Sequence, residues 1–222
     1  MRQHLLLLFS MLWFAGLTAQ GQDTTKTARP TSADSLLTSL FDSTADAQPL
    51  LPDRMILTQR AFWGPKGLLR SLKIAPLTPE KRQKELKIRR TMLVGHQIMG
   101  FVTLAGFVTQ GILGSQLYNA KGADYVWLRD AHETVATLTN ISYGSTALLS
   151  LTAPPPIIGE RRKGFSSIKL HRALAIVHIS GMIATNILAR QIERNAELKP
   201  YHRAAAFTTF AAFGAAIIAI KF

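Results

Sequence analysis

Cysteine is absent from this 222-residue chain, and its absence excludes several kinds of site. Without thiols the chain forms no disulfide, no iron–sulfur cluster and no thiolate zinc site, and it lacks both a lipoprotein cysteine and the C-x-x-C-H motif that attaches haem covalently. Walker, Rossmann, H-E-x-x-H and Ser-His-Asp patterns are also missing. Hydrolytic and nucleotide-dependent catalysis are therefore not expected.

Acidic residues are scarce, and the net charge is +13. In a soluble protein such a balance raises the question of nucleic acid. Here the basic residues crowd against the ends of hydrophobic runs, where they usually contact lipid headgroups. No RNA-binding or helix-turn-helix pattern accompanies them, so we expect membrane lipid as a partner and no nucleic acid.

The N-terminal part divides into three predicted segments. Residues 1–21 have the basic start, apolar run and small residues of a cleaved signal peptide, with an uncleaved anchor as the alternative. Residues 22–48 predict a flexible polar segment with at most a short helix. Residues 49–90 predict a basic interfacial segment. It forms either a short helix in the interface, with Phe62 and Trp63 at headgroup depth, or a loop packed on the membrane domain.

The remaining residues, 91–222, predict the fold class. It is an all-α membrane protein with an antiparallel four-helix transmembrane bundle, preceded by the short, basic, partly disordered N-terminal extension. Four hydrophobic runs have the length of a membrane crossing, and they comprise residues 91–117, 131–158, 173–189 and 204–220. A basic helix that starts at Pro79 is expected to continue into the first run, and the third helix to begin at Ser167.

Two signals give opposite membrane orientations. A cleaved signal peptide places residues 22–90 outside the cytoplasm of a bacterial inner membrane. Lys and Arg are more numerous on that same side, which the positive-inside rule assigns to the cytoplasm. We give priority to the signal peptide because it precedes these charges in the chain, and we expect the N-terminal segment outside.

One histidine lies near the start of each hydrophobic run: His96, His132, His171 and His202. Because alternate helices of such a bundle run in the same direction, His96 and His171 are expected at one face and His132 and His202 at the other. Intramembrane ionisable groups usually serve a function, and two facing imidazoles can hold an iron. The pattern predicts two non-covalent b-type haems. The alternative is interfacial histidines without a ligand.

Three further residues are candidates for the same sites. His178 follows His171 by seven residues, which returns it to nearly the same helix face. It is either a substitute ligand or a hydrogen-bonding neighbour, and we prefer His171 as the ligand. Arg172 and Arg203 each follow a candidate ligand and are suited to pair with haem propionates; snorkelling residues at helix ends are the alternative.

These residues resemble the pattern of the cytochrome b-561 family. The motifs that match are Gly95-His96, His132, His171-Arg172-Ala173-Leu174 and His202-Arg203, within about residues 90–220. The resemblance implies a four-helix core with two b haems, ligated by the first and third helices and by the second and fourth. It also implies electron transfer across a membrane. The electron donor or acceptor would be quinol or a redox protein, and a homodimer is compatible with the pattern.

Two other functions are compatible with the sequence. The first is a proton or ion pathway, and its polar residues would be His132, Glu133, Asn140, His178 and Asn186. The second and third hydrophobic runs lack the mid-membrane acid that most such carriers have. The second alternative is a scaffold subunit without haem, which docks through its basic N-terminal segment.

Overall fold

A computed structural model describes residues 49–156 and 166–221 of the chain. The predicted signal peptide and the predicted flexible polar segment lie outside these residues. Within them, every regular element is a helix. The helices are α1 (Leu57–Trp63), α2 (Leu68–Ser71), α3 (Pro79–Leu117), α4 (Gly122–Leu151), α5 (Ser167–Ile192) and α6 (Lys199–Lys221), with a 3₁₀ turn at Ala196–Leu198. The prediction of an all-α protein is confirmed for the described residues.

Three helical stretches are long and apolar enough to cross a membrane. They are α3, α5 and Ala196–Ile220, which contains most of α6. Helix α4 is not among them, because Thr, Ser and Asn residues interrupt the apolar residues of its uncharged C-terminal part. Three of the four predicted spans therefore correspond to helices with the length and apolar composition of a membrane crossing.

The two predicted helix starts lie where the sequence places them. Thr78 caps α3 by accepting a hydrogen bond from the backbone N–H of Lys81 at 3.4 Å. Pro79 then supplies a helical φ angle and Glu80 a negative charge at the positive end of the helix. Helix α3 continues for 39 residues, which confirms that the basic helix runs into the first hydrophobic run. Helix α5 begins at Ser167, as predicted.

Helices α3 and α4 pack against each other in antiparallel register through small and hydroxyl side chains. Thr103 is fully buried, and its Oγ1 lies 3.0 Å from the hydroxyl of Ser142 and 3.3 Å from that of Thr146. Further along, Gly106 faces Thr139. Helices α5 and α6 form a second such hairpin, and α3 contacts α6. Small residues let backbones approach closely, and hydroxyl pairs hold helices together in an apolar medium.

The chain before α3 packs against the end of α4. Six consecutive carbonyl oxygens, residues 151–156, each accept a hydrogen bond from a side chain, and we call them the carbonyl row. The donors are Thr58 to Leu151 at 2.6 Å, Trp63 to Thr152 at 2.8 Å, Gln59 to Ala153 at 3.3 Å, Arg89 to Pro154 at 2.6 Å, and Arg82 to Pro155 at 2.7 Å and to Pro156 at 2.8 Å. These side chains replace the intrahelical partners that a helix C-terminus lacks.

The packing of Trp63 bears on the two readings of the basic interfacial segment. Trp63 is only 8% exposed and donates its indole N–H to the carbonyl of Thr152, as a covered indole requires. This contact is what the packed reading expects, whereas Leu68, Leu72 and Ile74 are exposed, as the interfacial reading expects. The placement of Phe62 and Trp63 at headgroup depth stays a prediction.

Arg82 is the most heavily bonded member of this contact. Its side chain is buried, and besides the carbonyl row it binds the carbonyl of Leu50 at 2.9 Å and the carboxylate of Glu85 at 2.9 Å. The carboxylate of Glu85 also accepts hydrogen bonds from both terminal nitrogens of Arg70. A buried charge is tolerated only when partners of this kind surround it.

We expect Arg82→Gln to lower the free energy of unfolding by about 3 kcal/mol, because it leaves carbonyl oxygens and one Glu85 contact unpaired inside the protein. Unfolding of the detergent-solubilised protein, followed by circular dichroism, measures the change. Lys84→Gln is the control, since Lys84 is exposed on the same helix. Equal stability of the two variants would contradict the assignment.

Gly106→Ala is expected to loosen the contact between α3 and α4. A β-carbon at this position would lie 2.5 Å from Thr139 Oγ1 and 3.2 Å from its Cβ and Cγ2, and the β-branched threonine has little freedom to move. We expect a loss of roughly 1–3 kcal/mol in the same unfolding assay. Gly144→Ala should cost nothing, because no atom lies within 4 Å of its new β-carbon.

Candidate functional site

Helices α3 and α5 bring His96 and His171 together. Their ring centroids are 6.2 Å apart, and the ring planes make an angle of 85°. The Nδ1 atom of His96 lies 2.8 Å from the carbonyl oxygen of Thr146 on α4, and that of His171 lies 2.9 Å from the carbonyl oxygen of Ala216 on α6. Four helices therefore contribute to this one site.

The carbonyl partners define the proton positions on both rings. A carbonyl oxygen only accepts, so Nδ1 of each imidazole must donate, and Nε2 of the neutral ring then carries a free lone pair. An imidazole that ligates a metal usually has its second nitrogen bonded to a carbonyl in this way. The donor set of His96 and His171 thus has the chemistry of a metal ligand pair.

The ring separation also fits a shared metal. A metal–imidazole bond is about 2 Å and the ring centre lies about 1 Å behind the nitrogen, so two imidazoles on opposite sides of one metal have centroids about 6 Å apart. The measured 6.2 Å agrees with this separation. The residues present are compatible with the haem that the sequence pattern predicts at this end.

The second predicted pair, His132 and His202, lies toward the opposite ends of the helices. His202 repeats the arrangement above, with Nδ1 at 3.0 Å from the carbonyl oxygen of Thr185 on α5. Nδ1 of His132 is buried and has no hydrogen-bond partner within the described ranges. His132 therefore differs from the other three candidates, whose Nδ1 lies within hydrogen-bond distance of a backbone carbonyl.

Gly114 on α3 makes room for the His132 ring. A β-carbon there would lie 3.1 Å from Cε1 of the imidazole, closer than ordinary van der Waals contact. On the same helix, the side-chain amide of Gln110 donates to the backbone carbonyl of His132 at 2.8 Å. The sequence shows that α3 contains glycines. No local pattern in the sequence indicates that Gly114 contacts His132 on α4.

His178 is buried but has a different neighbour. Its Nδ1 lies 2.8 Å from the hydroxyl of Tyr143, and its ring packs edge-on against Phe213 at 5.1 Å. Of the two histidines considered on α5, His171 is the one with a ring contact to His96. The sequence analysis did not predict a role for Tyr143, because nothing near it in the chain indicates a partner on α5.

The two arginines proposed for propionates have different surroundings. The guanidinium carbon of Arg203 lies 4.9 Å from the ring centre of Tyr118 and 5.8 Å from that of Phe207, a cation–π arrangement. Arg172 is exposed. Arg203 thus lies against aromatic rings, whereas the side chain of Arg172 is open to the surroundings.

Three of the residues considered for a proton pathway form hydrogen bonds within two separate local groups. Asn140 and Asn186 exchange amide hydrogen bonds of 3.1 and 3.0 Å, and their remaining N–H groups bind carbonyls of their own helices. Glu133 is bonded to Arg129 at 2.7 Å. This hydrogen bond and the charges of Glu133 and Glu193 raise the pKa of Arg129.

In the part of the chain that the structure describes, no group of three or more His, Asp or Glu side chains is placed to hold a metal ion. A haem with two histidine ligands needs no such group. Comparison with protein-family models, curated proteins and solved structures finds no match to this chain. The likeness to the cytochrome b-561 family rests on the histidine motifs alone.

The reciprocal pair of Asn140 and Asn186 should show thermodynamic coupling. Asn140→Ala and Asn186→Ala each remove both interhelical hydrogen bonds and leave one amide unpaired, so each should cost about 1 kcal/mol. The double variant should cost clearly less than the sum of the two single variants. Unfolding in detergent measures all four proteins, and strict additivity would show that the bonds do not hold α4 to α5.

Proposed function

We propose that the four long helices form an antiparallel transmembrane bundle that binds two b-type haems and carries electrons across a membrane. His96 and His171 would hold one haem, and His132 and His202 the other. The observation that carries the proposal is the pair of neighbouring imidazoles whose ring centroids lie 6.2 Å apart, each with Nδ1 bonded to a backbone carbonyl.

The carbonyl partners have two effects on the candidate ligands. They orient each ring, and they increase the electron density at Nε2, which strengthens it as a ligand. Thr146 and Ala216 lie on α4 and α6, so the orientation of the first pair depends on all four helices. When bound, haem would supply an iron that gains and loses one electron at a time.

The space between the two histidine pairs is filled by aromatic side chains. Phe107 and Phe213 are buried with ring centroids 5.2 Å apart, and Tyr143 and Phe210 pack around them. Such a filling excludes water from the middle of the bundle and lowers the local dielectric, both of which influence the reduction potential of a haem. His178 belongs to this filling and is a neighbour of the first site in the proposal.

Arg172 and Arg203 supply positive charge near the ligands. We assign them to the propionates, which are carboxylates that charged guanidinium groups bind well. Arg203 keeps its place over Tyr118 in this assignment, because the ring engages the face of the guanidinium and leaves its edges available.

The cellular setting follows from the sequence signals. We place the chain in a bacterial inner membrane, with its N-terminal segment outside the cytoplasm, as a member of the cytochrome b-561 type. Its partners would be membrane lipid and a quinol or redox protein that gives or takes electrons. Three helices apolar enough to cross a membrane support this setting.

The absorption spectrum of the purified full chain tests the proposal. Protein from haem-replete cells should show reduced-minus-oxidised bands of haem b and contain two haems per chain. His96→Ala and His132→Ala should each lose about half of the haem, because each variant removes one ligand of one pair. The double variant of His96 and His202 should lose nearly all of it.

His178→Asn is the matched control, because it changes a buried histidine of the same bundle that lies outside both pairs. It should keep both haems. A folded but colourless wild-type protein would contradict the proposal. Full haem content in His171→Ala together with loss in His178→Asn would show that the ligand on α5 is assigned to the wrong residue.

A further inference from the structure

A groove runs between α4 and α5, which belong to different hairpins. These two helices pack less closely than the partners within each hairpin, and the gap has a volume of about 360 Å³. Three isoleucines spaced four residues apart, Ile179, Ile183 and Ile187, line its α5 side, and Asn140 and Tyr143 lie on its α4 side. Ile183 is 57% exposed and Ile187 51%, so the groove is open along one side. In the proposed bundle that side faces lipid.

The polar groups inside the groove are the carboxamides of Asn140 and Asn186. Each side-chain nitrogen donates once to the other amide, at 3.1 and 3.0 Å, and once to a backbone carbonyl of its own helix. Both N–H donors of each amide are therefore used. Within the described residues each amide oxygen accepts one of these bonds, and a carboxamide oxygen has two lone pairs. The pair thus offers an occupant hydrogen-bond acceptors but no donors.

Tyr143 supplies an aromatic wall without a free hydroxyl. Its oxygen lies 2.8 Å from Nδ1 of His178, and His178 is buried inside the bundle. The hydroxyl is therefore turned inward, while the residue still lines the groove. An aromatic side chain in this position can pack against a flat ring.

Charged side chains mark one end of the groove, which continues past the amide pair to Glu133 on α4 and Arg190 on α5. Arg190 lies four residues from Asn186 and Glu133 seven from Asn140. At a rise of 1.5 Å per residue, the amide pair is about 6–10 Å inside the charged end. A hydrogen bond to its oxygens would form where water competes little, which makes the bond more selective.

We propose that the groove binds a hydroquinone. A ring hydroxyl would donate to an amide oxygen, and the apolar substituents would lie along the isoleucines. The open side calls for a lipid-soluble occupant, and the acceptor-only amide pair calls for one with an O–H donor. The phosphodiester of a phospholipid and the carbonyls of a quinone only accept, so neither matches. Binding does not depend on haem, but the role of the hydroquinone as electron donor rests on the proposed function.

The groove lies beside one of the contacts that orient the second histidine pair. Asn186 directly follows Thr185, whose carbonyl lies 3.0 Å from Nδ1 of His202. An occupant bonded to the amide pair would therefore lie along the turn of α5 that orients His202. This position is suited to a donor of electrons to the second site.

The test measures binding to the full chain as purified, in phosphatidylcholine nanodiscs, by isothermal titration calorimetry with empty nanodiscs as the blank. The ligands are decylubiquinol, its dimethyl ether, in which both hydroxyls are methylated, and decylubiquinone. Wild type should bind the quinol about tenfold more tightly than either of the others, because only the quinol donates to the amide oxygens. Equal affinity for the three ligands would overturn the proposal.

Two variants locate the site. Asn140→Leu combined with Asn186→Leu removes both amides together, so neither is left unpaired, and it should abolish the preference for the quinol. Ile183→Trp fills the groove and should weaken all three ligands about tenfold. Ile112→Trp is the matched control, because Ile112 is 56% exposed on α3 and does not line the groove. An equal effect of the two tryptophans would refute the location.

Two other occupants are distinguishable outcomes, and either overturns the proposal. If an acidic phospholipid fills the groove, phosphatidylglycerol raises the unfolding temperature of wild type but not of Ile183→Trp, and it lowers the affinity for all three ligands alike. If a second copy of the chain covers the groove, Ile183→Trp converts a dimer into a monomer in light scattering, whereas Ile112→Trp does not.

The spectrum of the same samples separates this proposal from the proposed function. A chain that prefers the quinol but contains no haem refutes the proposed function and leaves the hydroquinone site in place. A chain that contains two haems but binds the three ligands alike refutes the site alone.

Discussion

The packing of the helices depends on one constraint, which is that backbone carbonyls without a helical partner must find a donor inside the protein. Three prolines follow Ala153, and they cannot donate backbone hydrogen bonds that would continue the helix. The carbonyl row is instead satisfied by side chains of α1 and α3. This contact fixes the register of α3 against α4, and the same register sets the imidazole of His96 beside the carbonyl of Thr146.

The same rule operates at the candidate sites. Three of the four candidate ligands donate Nδ1–H to a carbonyl of another helix, so each ring is oriented by a neighbouring helix and its Nε2 keeps a lone pair. Hydroxyl and amide pairs perform the equivalent task away from the sites, as Thr103 with Ser142 and Asn140 with Asn186 show. In an apolar medium, these polar contacts replace the hydrophobic force that drives helix association in water.

Local signals predicted much of the fold and part of the site. Helix-start signals predicted that α3 begins at Pro79 and α5 at Ser167. The alternation of helix direction predicted that His96 and His171 lie close together. The burial of Trp63 and the bond between Tyr143 and His178 join residues far apart in the chain, and single-sequence patterns carry no record of such contacts. The sequence alone left His171 and His178 as alternatives because they share a helix face. Helix α4 was predicted to be a span because its run carries one acid, Glu133, near the start. Several Thr and Ser residues that make this run less apolar face α3, as Thr139, Ser142 and Thr146 show.

The hairpin arrangement bears on how the molecule is assembled. Helices α3 and α4 form one contiguous hairpin and α5 and α6 another, and most contacts lie within each hairpin. Each hairpin can therefore fold during synthesis by its own contacts, and the first can fold before the second has been synthesised. Each histidine pair takes one member from each hairpin, so neither half completes a site by itself. A ligand bound between the two hairpins would connect them in the mature protein. It would be incorporated last, after both hairpins have formed.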